Sequence, residues 1–371
     1  MAHNIFVAGT GQHSGKTLIS FGLLAAFRRL GYRVGYMKPV GQRTVQIGSD
    51  TVDEDVALMH GVFGITTPPK ASNPVTIPSG FTRKFLRDGG GSGELQQLIR
   101  DSYEIVAGSG SEAADVVIIE GTGHAGVGSV IGLSNAAVAR LLNATTLVIT
   151  GGGIGRPVDD FAINKALFRE EGVPVLGVIA NKVYEDGYDK VSEALQIWFG
   201  RESVPLLGIV PYRHVLSAIR LRQVVAETDC EAINGEQHLD QVIEDCIVAA
   251  ASPRRMLPLF KAGVLAIMPG DRDDLVLAAL SSHRTTSGGH RMGASICLTT
   301  GLLPGDNIME LVRESEMPVL ATEEGTYAIT SQISDLVAKT DPTEKDKLAT
   351  AEKLVGDYVQ VEQILKLVQA G

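Results

Sequence analysis

The residues best suited to chemistry lie in VAGTGQHSGKT, from Val7 to Thr17. A Gly-Lys-Thr at 15–17 after a glycine-rich turn suits phosphate binding. Glycines let backbone amides approach phosphate oxygens, and Lys16 would place a point charge against the β- and γ-phosphates. Thr17 would offer a hydroxyl to Mg²⁺. The unpaired amides at the start of a helix, at the positive end of its dipole, would add to the hold. The usual spacing asks for glycine at position 10, which is Thr10; Gly9 and Gly11 stand one residue to either side. The competing reading is a plain strand-to-helix turn with a lysine in its first turn.

Such a loop needs a strand before it and a helix after it. The apolar run at 5–8 precedes it, and 16–30 has helical spacing at Leu18, Phe21, Leu24 and Ala25. Further apolar runs stand at 34–37, 116–119, 145–150, 175–180 and 206–210, separated by helical patterns. Near-continuous Val/Ile/Leu runs alternating with helices predict a parallel sheet covered on both faces. The runs end in Gly, Asp, Glu, Lys or Asn, at the carboxyl edge where such sheets bind ligands. After Pro211 the pattern relaxes into a mixed connector, and a second, smaller βα series follows at 264–268, 296–298 and 318–321. The tail at 343–369 has helical spacing, and DGGGSG at 88–93 reads as a flexible surface loop. The expected fold is therefore α/β, with a P-loop domain over 1–213 and a smaller α/β domain over 216–371 that includes the terminal helix.

The chain has 371 residues and a formal net charge of −10, which argues against nucleic acid as a partner. A single phosphate group can still be held by backbone amides and one lysine. Cys230, Cys246 and Cys297 are far apart and read as buried free thiols, not as a zinc site. No apolar run approaches the length of a membrane span, and removal of a leader would destroy the glycine loop. A cytoplasmic protein without membrane contact is expected.

Gly9, five residues and then Gly-Lys-Thr is similar to the loop of dethiobiotin synthetase, and on that spacing the loop is intact. GYRVGYMKPVG at 31–41 resembles that family's strand carrying Lys-Pro-Val, whose lysine contacts the reacting substrate. DEDVALM at 53–59 aligns Asp55 with a Mg²⁺ ligand, and VVIIEGTG at 116–123 aligns Glu120 with the second carboxylate. GVIANKV at 177–183 and PLLGIVPY at 205–212 match the family's adenine pocket at Asn181 and Pro211. The resemblance implies ATP and Mg²⁺, with Gly9, Thr10, Gly11, Gln12, His13, Ser14, Gly15, Lys16, Thr17 and Leu18 along the phosphates. It makes Thr17, Asp55 and Glu120 the metal ligands, and Lys16 and Lys38 the catalytic lysines. One hydroxyl, two carboxylates and two cations suit phosphoryl transfer. Asp55 could equally be one more solvated acid beside Asp50, Asp53 and Glu54. Glu120, ending an apolar strand, is harder to read as surface, and Pro39 fixes an extended turn after Lys38.

The departures fall on the substrate side. The loop carries Gly11-Gln12-His13-Ser14, Gly41-Gln42 follow Lys-Pro-Val, and Gly123-His124-Ala125 replace the family's Gly-Gly-Trp. A different substrate, or none, is the expectation. Arg83, Lys84 and Arg87 would suit an anionic substrate or form a solvated helix face. GGGIGRPVDD at 151–160 lacks dinucleotide spacing and is broken by Pro157.

GVLAIMPGDRDDLVLAAL at 263–280 resembles the DRTGG domain, with Asp271-Arg272 and then Thr300-Gly301 before Leu302, where the family has a second glycine. Asp271 would cap the next helix, and Arg272 would bind a ligand or form a structural ion pair. This order of domains is similar to the front of long phosphotransacetylases, where it is regarded as regulatory. The leading expectation is an ATP-dependent ligase or phosphoryl transferase acting on a small carboxylate or carbamate. The alternative is a non-catalytic nucleotide sensor. A homodimer or higher homo-oligomer is expected in either case.

Overall fold

The computed structural model describes residues 2–285, 293–336, 340 and 342–370. The chain divides into two units, Met1–Arg213 with Thr340–Gly371, and His214–Lys339. In the first unit, β1 (His3–Gly9) runs into the glycine loop, and α1 (Lys16–Arg29) leaves it. Then come β2 (Val34–Met37), the hairpin β3 (Thr44–Ile47) and β4 (Asp50–Asp53), and α2 (Glu54–Phe63). The remaining elements are α3 (Ser92–Ala107), β5 (Val116–Glu120), α4 (Asn135–Leu141), β6 (Thr145–Thr150), α5 (Gly155–Glu170), β7 (Val175–Val183), α6 (Tyr188–Arg201) and β8 (Leu206–Pro211).

Six of these strands form one parallel sheet in the order β8-β7-β6-β1-β5-β2. Every residue of β5 is buried, which is why that strand is an unbroken apolar run until its last position. The chain leaves β1 for the edge strand β2, returns to insert β5 between them, and then runs outward on the other side of β1 through β6, β7 and β8. The carboxyl end of β1 is thus a topological switch point, where open α/β sheets bind ligands. Gly9, Glu120, Thr150 and Pro211 end their strands on this edge; Asn181 lies near the end of β7, and Lys38 follows β2. The antiparallel hairpin β3–β4 was not foreseen; it delivers the chain from β2 to α2.

The second unit is a five-stranded sheet of β9 (Glu231–Asn234), β10 (Asp245–Val248), β11 (Val264–Pro269), β12 (Ser295–Thr299) and β13 (Val319–Ala321), in the order β9-β13-β12-β11-β10. Only β9 is antiparallel to its neighbour. Its larger helices are α7 (Asp273–Thr285), α8 (Asp306–Glu314) and α9 (Thr326–Asp335). Because α7 starts at Asp273, the capping position falls to Arg272 and not to Asp271 as expected. Arg272 is bound instead in an ion pair, its Nε 2.8 Å from Asp274 Oδ1. Cys230 and Cys297 are buried thiols as expected, and Cys246 is half-buried.

The tail corrects the expected boundary. Helices α10 (Lys345–Tyr358) and α11 (Val361–Ala370) belong to the first unit, although the sequence grouped them with the second. Helix α10 lies along α1, with Arg29 Nη2 3.0 Å from Glu352 Oε2, and Val359 bridges to Gly208 of β8. An amphipathic helix must bury its apolar face, but its periodicity does not say against which domain. Among the described residues, no helix is long and apolar enough to cross a membrane.

Candidate nucleotide-binding site

The loop is rooted between the ends of three strands. Gly9 N donates to Gly123 O at 3.3 Å, and Thr10 N donates to Ile149 O at 2.9 Å. The chain then folds back over Gly9 so closely that a Cβ there would stand 2.4 Å from Ser14 Oγ and 3.1 Å from Lys16 Nζ. Gly15, just before α1, has φ 86°, a left-handed conformation that glycine adopts without strain. The first helical bond is Ile19 N to Gly15 O at 3.1 Å, so the amides of Lys16, Thr17 and Leu18 have no intrahelical acceptor. Ser14 Oγ is buried with no hydrogen-bond partner. Lys16 Nζ reaches only a long contact of 3.5 Å to Gly11 O, and burial pulls its pKa below the usual lysine value. An orphaned hydroxyl beside a desolvated lysine is the environment that a phosphate oxygen satisfies.

The acidic side faces this loop. Thr17 Oγ1 donates to Glu120 Oε1 at 2.8 Å, and the buried Tyr36 hydroxyl donates to Glu120 Oε2 at 3.0 Å. Burial, and then the charge of Asp55, push the Glu120 carboxyl up to about 7 against the pull of Lys38. Lys38, 8% exposed, donates to Asp53 Oδ1 at 2.7 Å and also to Asp55 Oδ2. Burial alone would lower the Lys38 pKa, but Asp55 and Asp53 outweigh it and hold the ammonium firmly charged. Burial likewise works against the Asp55 carboxylate, and Lys38 keeps its pKa below the usual range. Asp55 also meets Thr17 and Glu120, so the three proposed metal ligands adjoin one another.

Among the described residues no group of three or more His, Cys, Asp and Glu side chains forms a metal cage. Two carboxylates and a hydroxyl beside a phosphate cradle nevertheless fit Mg²⁺, which is usually held by one or two carboxylates and completed by phosphate oxygens and water.

Asn181 sits at the other flank. Its Nδ2 donates to Ser14 O at 2.9 Å and its Oδ1 accepts from Lys182 N at 2.9 Å, so the side chain ties β7 to the loop. Pro211 is buried at the end of the neighbouring strand β8. Gln12 and His13 are exposed at the loop's turn. Arg83, Lys84 and Arg87 lie exposed on the short helix Phe81–Arg87, and Arg87 pairs with Asp88 at 3.1 Å.

Sequence reasoning missed Asp53, the more deeply buried of the two acids holding Lys38. It also missed Tyr36, and Asn73, whose Oδ1 accepts from Asp53 N at 2.9 Å while its Nδ2 donates to Lys38 O at 2.8 Å. A buried asparagine is a signal only once the fold shows which backbone groups it satisfies. Asn164 performs the same service for the loop, donating to Thr10 O at 3.2 Å and accepting from Ala125 N at 2.7 Å.

Comparison with known families decides the lineage of this site. The AAA domain family AAA_26 matches residues 3–220, more than half of the chain. The chain belongs to this AAA domain family. The AAA domain is followed by a DRTGG domain, matched over 223–336, which ends before the tail returns to the first unit. The phosphate acetyltransferase of Pseudomonas aeruginosa is 28% identical over 381 residues, covering 97% of this chain and 51% of the relative. That of Nitrosomonas europaea is 25% identical over 377 residues, covering 98% and 51%. The chain thus spans about half the length of the curated relatives it matches. The order of AAA and DRTGG domains agrees with the expected likeness to the front of long phosphotransacetylases. Among solved structures, the MinC:MinD cell division complex of Aquifex aeolicus aligns at 14% identity and a TM-score of 0.36, over 58% of this chain and 83% of the other.

Proposed function

We propose that the AAA domain binds ATP with Mg²⁺, and that the chain acts as a nucleotide-sensing module whose second, DRTGG unit is its regulatory half. The phosphates would lie along the Gly9–Leu18 loop, with Lys16 on the terminal phosphates. Thr17, Asp55 and Glu120 would hold the metal, which would draw charge from the phosphate oxygens. The observation that carries the sensing reading is the confinement of Lys38. The lysine that the resemblance assigns to a reacting substrate is 8% exposed and engaged by both Asp53 and Asp55. The reading is tested by titrating the purified chain with Mg-ATP while following ADP formation, with Lys16→Ala as the blank. Tight binding without turnover, alone and with deproteinised cell extract, is the expected result. Turnover that rises with extract and is lost in Lys16→Ala would overturn the sensing reading.

One observation favours a second reading, ATP-dependent ligase or phosphoryl-transfer chemistry on a small carboxylate or carbamate. Lys16 and Lys38 both act on the Asp55–Glu120 cluster, which would place two cations around a transferring phosphoryl group. Under that reading Lys38→Ala abolishes the extract-stimulated turnover as completely as Lys16→Ala does.

A further inference from the structure

We propose that Lys182 is a second cationic contact for the bound nucleotide, standing at the nucleoside end of the loop while Lys16 holds the terminal phosphates. This rests on the nucleotide-binding reading above and adds to it a residue that neither the glycine loop nor the metal set contains.

Lys182 follows Asn181 near the end of β7, and its φ is 61°, in the left-handed region. A lysine is held there at a cost, and only where its surroundings enforce it. Asn181 Oδ1 fixes its amide at 2.9 Å. Its carbonyl lies so close to Gly152 that a Cβ on that glycine would stand 2.3 Å from the oxygen. The resulting twist carries the side chain to the loop, where a Cβ on Gly15 would sit 3.9 Å from Lys182 Cε.

The electrostatics are one-sided. Burial lowers the pKa of Lys182, no ion pair holds it among the described residues, and its charge acts unfavourably on Lys16. Two partly desolvated cations therefore face one loop whose buried Ser14 hydroxyl is also unsatisfied. The phosphate chain of a nucleotide laid along the loop answers all three groups, each at its own point. The side of the loop decides which part of the nucleotide meets Lys182. Thr17 and Glu120 mark the metal flank, whereas Asn181 and Lys182 enter at Ser14 and Gly15 on the other. Contact at that flank is common to ATP and ADP and is not made by pyrophosphate seated on the terminal-phosphate side.

The test is calorimetric titration of wild type, Lys182→Asn and Lys182→Arg with Mg-ATP, ADP and inorganic pyrophosphate. Asparagine tolerates left-handed backbone and removes the charge. Lys182→Asn is expected to bind ATP and ADP about ten- to a hundredfold more weakly, as for loss of a charged hydrogen bond, with pyrophosphate little changed. Lys182→Arg should recover most of the affinity. The ligand-free Lys182→Asn chain should melt at a higher temperature than wild type, a rise that a purely structural lysine would not produce. Lys182→Gln serves as the second variant should the asparagine protein not fold. Wild-type affinity for ATP in a folded, charge-removed variant would overturn the inference. An equal loss for pyrophosphate would overturn its placement at the nucleoside end. A wild type that binds none of the three would overturn the nucleotide reading itself.

Discussion

Asp53 Oδ1 stands 2.7 Å from Lys38 Nζ and 3.1 Å from the Asp55 amide, so one buried carboxylate both neutralises the lysine and caps α2. Its other oxygen accepts from Gln42 N at 2.9 Å and Arg43 N at 3.3 Å. Removing it leaves a buried ammonium with one partner where it had two, and three amides without an acceptor. Asp53→Ala is therefore expected to cost about 3–5 kcal/mol, the range for breaking a buried pair from one side. Exposed Glu104→Ala should change stability by no more than about 0.5 kcal/mol. Urea unfolding of the two variants decides it, and equal costs would refute the structural weight given to Asp53.

Glu120 predicts a pH dependence of the ligand-free protein. Burial and the Asp55 charge raise its carboxyl from the ordinary 4.5 to about 7. Between these values the folded chain holds a proton that the unfolded chain has released. The group's contribution to stability is thus complete below about 4.5 and is lost as the pH climbs to about 7. Glu120→Gln keeps an acceptor for Thr17 without the charge, so its stability should be flatter across that window and exceed wild type above it. Denaturant midpoints measured along a pH series would show it, and parallel curves for the two proteins would rule it out.

How much of this was legible beforehand follows from burial. The six strands of the main sheet were readable because strands covered on both faces are unbroken Val/Ile/Leu runs. Glu120 stood out as the lone acid closing such a run. Asp53 did not, because Asp50, Glu54 and Asp55 surround it, and only the β3–β4 hairpin and the cap of α2 single it out. Tyr36 was camouflaged as an ordinary strand aromatic, since nothing local shows that its hydroxyl meets a carboxylate 84 positions away. The tail helices were legible as helices, while their partner, α1, is a fact of tertiary packing alone.

That packing has a sharp test at Gly22. A Cβ there would stand 2.3 Å from Val355 Cγ2 and 3.1 Å from Ala351 O, so α10 nests against bare backbone of α1. Alanine gains about 0.5–1 kcal/mol over glycine within a helix. Overpacking a core costs about 1–3 kcal/mol, which should win because one of the atoms met is backbone. Gly22→Ala is expected to be destabilised, and Val355→Ala in the same chain should recover part of the loss as a favourable coupling. A stabilised Gly22→Ala would mean that α10 does not sit there in solution.

Asn181 separates two roles that the sequence could not. The resemblance puts it at the adenine pocket, yet its Nδ2 already donates to Ser14 O and its Oδ1 already accepts from Lys182 N. If holding the loop is its work, the loss in Asn181→Ala is indifferent to the base. A single hydrogen bond is worth about 0.5–1.5 kcal/mol, so affinity should fall by up to about tenfold. ATP and GTP should suffer alike, because both use the same phosphate loop. Competition binding with the two nucleotides measures the ratio directly. An unchanged ratio leaves Asn181 as a brace for the loop, whereas a loss confined to ATP would assign it to the base.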